Sequence, residues 1–415
     1  MTQAIVIGAG AAGLRAAVAL RKAGKDVLVL EARERIGGRI HTVEDREAGT
    51  TIELGAEFVH GEVGELKRSR LRLEEMDGRH LAHVDGSLRD VTKEIFGVLG
   101  QLAKASGAGT AQSWLARSEL PPSGRELARH YIEGFFAAPA AFVSIADIAN
   151  EQGLRNRRVL GGYDRALRPL ADSLREDSAL RLGTVVTEIR WRKGHVEVKA
   201  RTRTGRELAP FEAQKLVVSL PIGVLLARPG QEGAVRFDPP LQRKREALSW
   251  VRMGSVVKAV LRFREPIWAW KQIRKADFIH APGAAFPTWW RAGPPDLPVV
   301  IGWAGGPAAS KLAKGDPLPA AVASLARVLG RSASDLEGLL ESATIADWGR
   351  DPYSRGAYAY HLAEAPPTTT AELAASEEDT IFFAGEATSL IERAGTVDGA
   401  LESGARAAKQ VLAKR

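Results

Sequence analysis

Short apolar runs of strand length alternate with Ala- and Leu-rich stretches of helical length at the start of this chain, and the pattern returns near its end. Ala4-Ile5-Val6-Ile7 predicts a strand, Ala11 to Ala23 a helix, and Asp26 to Leu30 a second strand closing on Glu31. Residues 62 to about 150 place Leu, Ile and Val among charged residues at helical spacing, broken by Gly107-Ala108-Gly109 and Pro121-Pro122. They predict an inserted, mostly helical lobe. Val185 to Ile189 predicts a strand, and Trp191–Arg203 with Lys215–Leu220 fit a β-meander. Residues 225 to about 345 mix strands and helices. Thr380 to Phe383 then enters a glycine turn, and a last helix carries Leu401, Ala405, Ala408 and Leu412 on one face.

The first three elements form a βαβ unit with G-x-G-x-x-G (Gly8, Gly10, Gly13) at the strand-to-helix turn, the context that makes this motif informative. Gly8 permits the tight turn, Gly10 lets backbone approach a pyrophosphate, and Gly13 lets helix pack on strand. The helix N-terminus offers amides and a positive dipole end to phosphate. Glu31 is placed to accept from a ribose 2′-OH and would repel a 2′-phosphate, which disfavours NADP. A second glycine turn, Ala32-Arg33-Glu34-Arg35-Ile36-Gly37-Gly38-Arg39, carries three arginines, and Arg39 is placed to reach a pyrophosphate.

The length of 415 residues allows two or three domains, or one large domain with an inserted lobe. No apolar run reaches the ~18 residues of a membrane span, and no signal peptide precedes the first strand. Cytoplasmic residence is the default. The chain has no cysteine, which excludes disulfides and thiolate metal sites, and no His pair has metal-ligand spacing. The net charge of +8 raises the question of a polyanion. Its basic clusters, Lys67-Arg68-Ser69-Arg70 and Arg243-Lys244-Arg245, lack interleaved aromatics and read as solvated helical faces, so no nucleic-acid partner is expected.

The βαβ unit, the Gly37-Gly38-Arg39 turn and Glu53-Leu54-Gly55-Ala56-Glu57-Phe58-Val59-His60-Gly61, in this order, resemble the flavin-dependent amine oxidase family of monoamine oxidases, polyamine oxidases and lysine-specific histone demethylases. The resemblance runs the length of the chain. It implies FAD as cofactor, with Gly8, Gly10, Ala12, Gly13, Glu31, Ala32, Arg33, Gly37, Gly38, Arg39, Gly55, Ala56 and Glu57 on the cofactor side. Gly55 and Ala56 would pass beside the flavin ring, and His60 matches a histidine at the active-site mouth of animal-type polyamine oxidases. The residues after Gly55 lack the carboxylate-binding arginine of L-amino acid oxidases. Gly161-Gly162-Tyr163-Asp164, then Leu167, Leu170 and Leu174, resembles the family's return to the FAD domain, and Val186 would lend backbone to the adenine. A lysine inside an apolar run, Met253 to Leu261, reads from its residues as solvent-facing on an edge strand. The family's strand at this place carries a lysine linked through water to flavin N5, which makes Lys258 a catalytic candidate. Six of the nine tryptophans fall between Trp250 and Trp303, an amine cage or core, with core favoured for most.

In the segment Ala346 to Tyr360, Tyr358 matches a tyrosine facing the flavin, with Trp348 near it. Tyr358 and Tyr360 share a face if this is a strand. Ala357 stands where monoamine oxidases carry a flavin-linking cysteine, so the FAD is held non-covalently. Gly385 and Glu386 resemble the closing FAD motif, with Glu386 toward the ribityl-pyrophosphate and the Thr396 and Val397 amides at the pyrimidine end of the ring. Thr396 replaces the second wall of the monoamine oxidases' aromatic cage, which favours a polyamine-like or bulkier amine.

The fold class implied is α/β (α+β overall): a Rossmann-like FAD-binding domain from 1–61, 151–222 and 346–415, with a mixed-sheet plus helical substrate domain from 62–150 and 223–345. The activity implied is oxidation of an amine by hydride transfer from the α C–H to flavin N5, imine hydrolysis and reduction of O2 to hydrogen peroxide. The partners are a small-molecule amine and O2; no metal and no membrane are implied. Two alternatives stay open, a related FAD-dependent desaturase or oxidase of C–C bonds in an apolar substrate and a flavin-bearing interaction protein. The amine's identity and the oligomeric state are not legible.

Overall fold

The computed structural model describes residues 2–60, 64–76, 78–84, 86–102, 104, 109–149, 156–390 and 393–413. Gly61, the Gly107-Ala108 break and the expected boundaries at 61/62 and 150/151 lie outside them. The chain builds two large sheets. The first has the order Leu180–Arg181, Val27–Leu30, Thr2–Ile7, Phe211–Val218, His195–Thr202, Thr184–Arg192, Arg236–Asp238, with Ile381–Phe383 added on Phe211–Val218. The βαβ unit is as expected: Thr2–Ile7 and Val27–Leu30 run parallel, joined by the helix Ala11–Lys22. The meander His195–Thr202 and Phe211–Val218 pairs antiparallel.

Four parallel strands of this sheet end in register, Leu30 beside Ile7, Ile7 beside Val218, and Val218 beside Phe383. The residues that follow them therefore gather at one carboxyl edge, where open α/β sheets bind ligands. The last helix, Val397–Ala413, closes against the first. A Cβ on Gly404 would fall 2.2 Å from the Ala12 carbonyl, so only glycine allows this approach. The buried residues of the last helix include Leu401, Gly404, Ala408 and Val411; Ala405 and Leu412, expected on that face, are half-buried. The helix faces its partner along a slightly rotated stripe.

The second sheet has the order Leu340–Asp347, Val256–Phe263, Val299–Gly305, Thr288–Arg291, Ala276–His280, Arg79–Val84, Ser87–Asp90. Among the described residues of 62–150, a short 3-10 helix Glu65–Ser69 and the strands Arg72–Glu75, Arg79–Val84 and Ser87–Asp90 precede the helices Thr92–Leu102, Ala111–Arg117, Pro122–Phe135 and Ile145–Ala149. The strand pattern is masked there because these short strands carry charges beside apolar residues. Arg236–Asp238, expected in the substrate region, instead extends the first sheet beside Thr184–Arg192. Val256–Phe263 is not an edge strand; it lies between Leu340–Asp347 and Val299–Gly305. Its Val257, Ala259, Leu261 and Phe263 pack in one core cluster, Val260 in another with Trp290 and Phe278. Lys258 shares the alternation of Val256 and Val260, and is fully buried.

Lys244 departs from the solvated face expected of its basic cluster. It is buried over the Phe383 ring and donates to the carbonyls of Glu372 and Ala375. It thereby satisfies groups at the end of the helix Thr369–Ala374. Burial pushes its ammonium pKa down to about 8. No helix among the described residues is long and apolar enough to cross a membrane.

Candidate active site

One cavity of about 940 Å³ runs from the carboxyl edge of the first sheet to the second sheet. Every expected site residue lines it except Gly13. Gly13 stands behind the wall: a Cβ there would lie 1.9 Å from the Gly8 carbonyl, so its hydrogen lets helix meet strand. Gly8 has φ +98°, a region that favours glycine. Gly37 donates to the Ala9 carbonyl at 2.9 Å, and Gly10 and Gly37 form a bridge, which sets the two glycine turns side by side. Gly10 caps the first helix without a side-chain bond, which leaves its first amides for a bound anion.

Glu31 is buried and accepts from the Ala9 amide (2.8 Å) and the Arg33 amide (2.9 Å), so its carboxylate braces the first turn. The Arg33 side chain reaches Asp351 (2.5 Å) and Ser354 (2.9 Å) and strides over the Tyr353 ring. Arg39 donates to Ala357 O and to Glu386, both at 2.8 Å. Glu386 also accepts from the amides of Ala359 and Gly395. Residues hundreds of positions apart are thus tied into one wall by a buried carboxylate. Val186 and Ala32 line the Glu31 end of the cavity with them, while Gly38 and Gly385 follow Gly37 and Phe383 onto the wall.

At the other end Gly55 fits between Arg39 and Trp348: a Cβ would lie 1.9 Å from Arg39 O and 3.1 Å from the Trp348 ring. Trp348 donates to Leu54 O at 2.9 Å, and the Tyr358 hydroxyl donates to Phe135 O. Tyr358 immediately precedes the strand Ala359–His361 rather than lying in it. Thr396 accepts from the Gly399 amide at 3.0 Å and so caps the last helix, whose N-terminus with Val397 faces the cavity. His60 bonds Asn156 at 2.8 Å, and burial lowers its pKa. Lys258 Nζ lies 2.6 Å from Glu57 Oε2, and Trp290 Nε1 donates to Glu57 Oε1 at 3.0 Å.

A family model of flavin-containing amine oxidoreductases matches residues 11–412. The chain belongs to that family. Polyamine oxidase 3 of Oryza sativa subsp. japonica is 29% identical over 98% of this chain and 88% of its own length. Polyamine oxidase 2 of Arabidopsis thaliana is 28% identical over 98% and 87%. Among solved structures, a putrescine oxidase bound to putrescine superposes with a TM-score of 0.79 at 22% identity, covering 99% of each chain. Cyclohexylamine oxidase from Brevibacterium oxydans IH-35A reaches 0.80 at 21%, covering 99% of this chain and 98% of its own. At those identities the likeness is one of fold.

FAD is the cofactor of this family, and the cavity fits it. The cradle at Gly8, Gly10 and Gly37 is walled by backbone, two helix N-termini enter the cavity, and Arg39 lines it, bonded to Glu386. The expected alternatives for Lys258 resolve structurally: it is neither exposed nor at an edge, and its partner is Glu57, expected only as a cofactor contact.

Sequence reasoning missed two parts of the wall and a carboxyl behind it. Trp290 and Trp303 line the cavity, with Trp303 donating to Gly134 O at 3.0 Å, while Trp268 and Trp289 are core. Period-two reading of Thr288–Arg291 would have set Trp289 and Trp290 on opposite faces. His80 and His280 meet at 3.0 Å with parallel rings, and His130 approaches His280 edge-on at 5.6 Å. Burial lowers His130 to about 4 and His280 well below its ordinary value, so these two imidazoles stay uncharged at neutral pH. No sequence signal joins residues so far apart. Glu53 is buried under the wall, where it accepts from Tyr163 N (2.6 Å) and Thr42 Oγ1 (2.8 Å); burial raises its pKa to about 7.

Proposed function

We propose that the protein oxidises an amine: a hydride leaves the α C–H, water hydrolyses the imine, and O2 takes the two electrons with two protons as hydrogen peroxide. FAD, when bound, supplies the hydride acceptor at N5 and passes the electrons to O2. The observation that carries this reading is a charge-balanced, aromatic reacting end. Lys258 is paired with Glu57, His130 and His280 are uncharged, and Tyr358 and Trp348 stand fixed by hydrogen bonds to backbone. A cavity of this kind disfavours a bound ammonium and so favours the neutral amine that hydride loss requires.

In this reading Tyr358 and Trp348 frame the substrate nitrogen and hold its α C–H toward the cofactor. Lys258 holds a water near N5 and assists the reaction with oxygen. Thr396 and Val397 present the N-terminus of the last helix to the pyrimidine end of the ring. Glu31 holds the ribose, Val186 the adenine, the amides of Gly10 and Gly38 with Arg39 the pyrophosphate, and Gly55 and Ala56 flank the ring. His60 stands at the mouth. Thr396, with no aromatic ring, leaves room opposite Tyr358, and the polyamine oxidases among the relatives support a polyamine-like or bulky amine.

Mixing the FAD-loaded protein with amines without oxygen tests the reading. A di-, polyamine or bulky aliphatic amine is expected to bleach the flavin absorbance, with peroxide forming once air is admitted. Failure of every amine to bleach it would overturn amine oxidation.

A further inference from the structure

Lys258 is the only residue of its strand whose chemistry conflicts with its surroundings: a cation at 0% exposure between two neighbouring strands of an apolar sheet. Its site is resolved by one carboxylate. Glu57 comes from the turn after Gly55, 201 positions away, and is itself 7% exposed. Its Oε2 meets Nζ at 2.6 Å, while its Oε1 accepts from the indole of Trp290, two strands from Lys258 in the same sheet. Nζ also lies 5.7 Å from the centre of that indole ring and 3.5 Å from Gly55 O. The carboxylate is therefore held from both sides and the ammonium has one position. All three side chains line the cavity beside Gly55 and Ala56.

We propose that Glu57 is a positioning residue that fixes Lys258 and cancels its charge, and so sets the electrostatic field felt by the flavin ring and by the amine. This rests on the FAD-dependent amine oxidation proposed above. Lone buried charges are costly, whereas a pair with satisfied hydrogen bonds is tolerated. With Glu57 present, the strand contributes no net charge to the reacting end. Without it, a cation stands next to the ring and stabilises the added negative charge of reduced flavin. The site can relieve that charge only by releasing the lysine proton. Other ionisable groups around the pair are Glu53 beneath it, His60 on the same segment, and the Arg39–Glu386 pair across the cavity. His60 and the Arg39–Glu386 pair are common to wild type and variants and cancel in a difference, whereas Glu53 feels both Lys258 and Glu57, so every comparison is made in a Glu53→Gln background.

The test is the reduction potential of bound FAD between pH 6 and 9, read by dye-coupled titration without amine, which keeps it separate from the identity of the substrate. Glu57→Gln is expected to raise the potential at low pH, with the difference from wild type fading as pH rises and Lys258 deprotonates. Lys258→Met, which strands the carboxylate, is expected to lower it at high pH, with the difference fading as pH falls. The double variant, with neither charge, is expected to lie near wild type throughout. If a single variant does not load FAD, restoration of loading in the double variant supports the pair, and its failure overturns it. Single variants that load FAD and follow the wild-type potential across the range also overturn it. Bleaching by an amine in wild type, whatever these potentials, keeps the oxidase reading separate from this one.

Discussion

The two ends of the cavity are built in opposite ways. The end at Gly8, Gly10 and Gly37 is made of backbone, from turns within a single βαβ unit and its sequel, with glycine hydrogens setting how close its parts come. The end at Lys258 is made of side chains from four distant segments, held by Glu57–Lys258, Trp290–Glu57, Trp348–Leu54 and Tyr358–Phe135. The first depends on sterics, which act at the level of one atom. The second depends on desolvated charge, which acts on the free energy of the whole assembly. Damage at one end should therefore look unlike damage at the other.

Lys258→Met should show the largest effect. Stranding Glu57 costs about 3–5 kcal/mol by the usual range for a broken buried pair, read as a lower midpoint in urea unfolding. The glycine cradle is untouched, so the protein should remain yellow while flavin turnover slows. Unchanged turnover with a good amine would remove Lys258 from the chemistry.

Glu53 is buried behind the cavity, bonded to Thr42 and the Tyr163 amide, and its effect is one of pH. An acid raised to about 7 in the folded state but ordinary when unfolded is neutral in both at low pH. As pH climbs from its unfolded value to 7 the unfolded chain releases the proton first, so stability falls, by roughly 3 kcal/mol over that window. Above pH 7 the loss is complete. Urea midpoints at pH 5 and 8 should therefore drop in wild type, and Glu53→Gln should flatten the drop; an equal drop in both would assign it to other groups.

Gly13→Ala attacks the opposite end. A methyl 1.9 Å from the Gly8 carbonyl forces helix and strand apart, at about 1–3 kcal/mol. It should lower FAD occupancy in the purified protein more than it lowers the unfolding midpoint. Normal occupancy would mean the helix yields without moving the cradle. The smallest change is Thr396→Ala, which removes the cap of the last helix for about 1 kcal/mol. Its expected mark is a shifted flavin absorbance spectrum in protein that still loads FAD.

This contrast also explains what was legible beforehand. The βαβ unit, the meander and the closing helix read directly, because period and glycine spacing are local properties. So did the motif-bearing part of the cavity wall, which the resemblance aligned, but not the stretch from the helix Pro122–Phe135, whose Tyr131 and Phe135 line it too. Lys258 was legible as an anomaly in an apolar run, yet its partner was not: nothing at Glu57 distinguishes a carboxylate facing a ring from one facing an ammonium 201 positions on. The histidine cluster left no trace for the same reason. The strands Arg72–Glu75 and Arg79–Val84 hid behind charged residues, since they are short and pair with strands from elsewhere in the chain. Lys244 misled because a buried lysine serving helix carbonyls looks, in sequence, like any surface lysine.

The close seat of Gly404 on the Ala12 carbonyl has a consequence for biosynthesis. The first turn emerges from the ribosome hundreds of residues before the helix that buttresses it, and Gly385, Glu386 and Thr396 arrive equally late. The early βαβ unit must wait with an unfinished pocket while the intervening segments fold. Cofactor loading is therefore an event of the completed chain, and a cell short of FAD would accumulate a full-length apoprotein rather than a stalled nascent one.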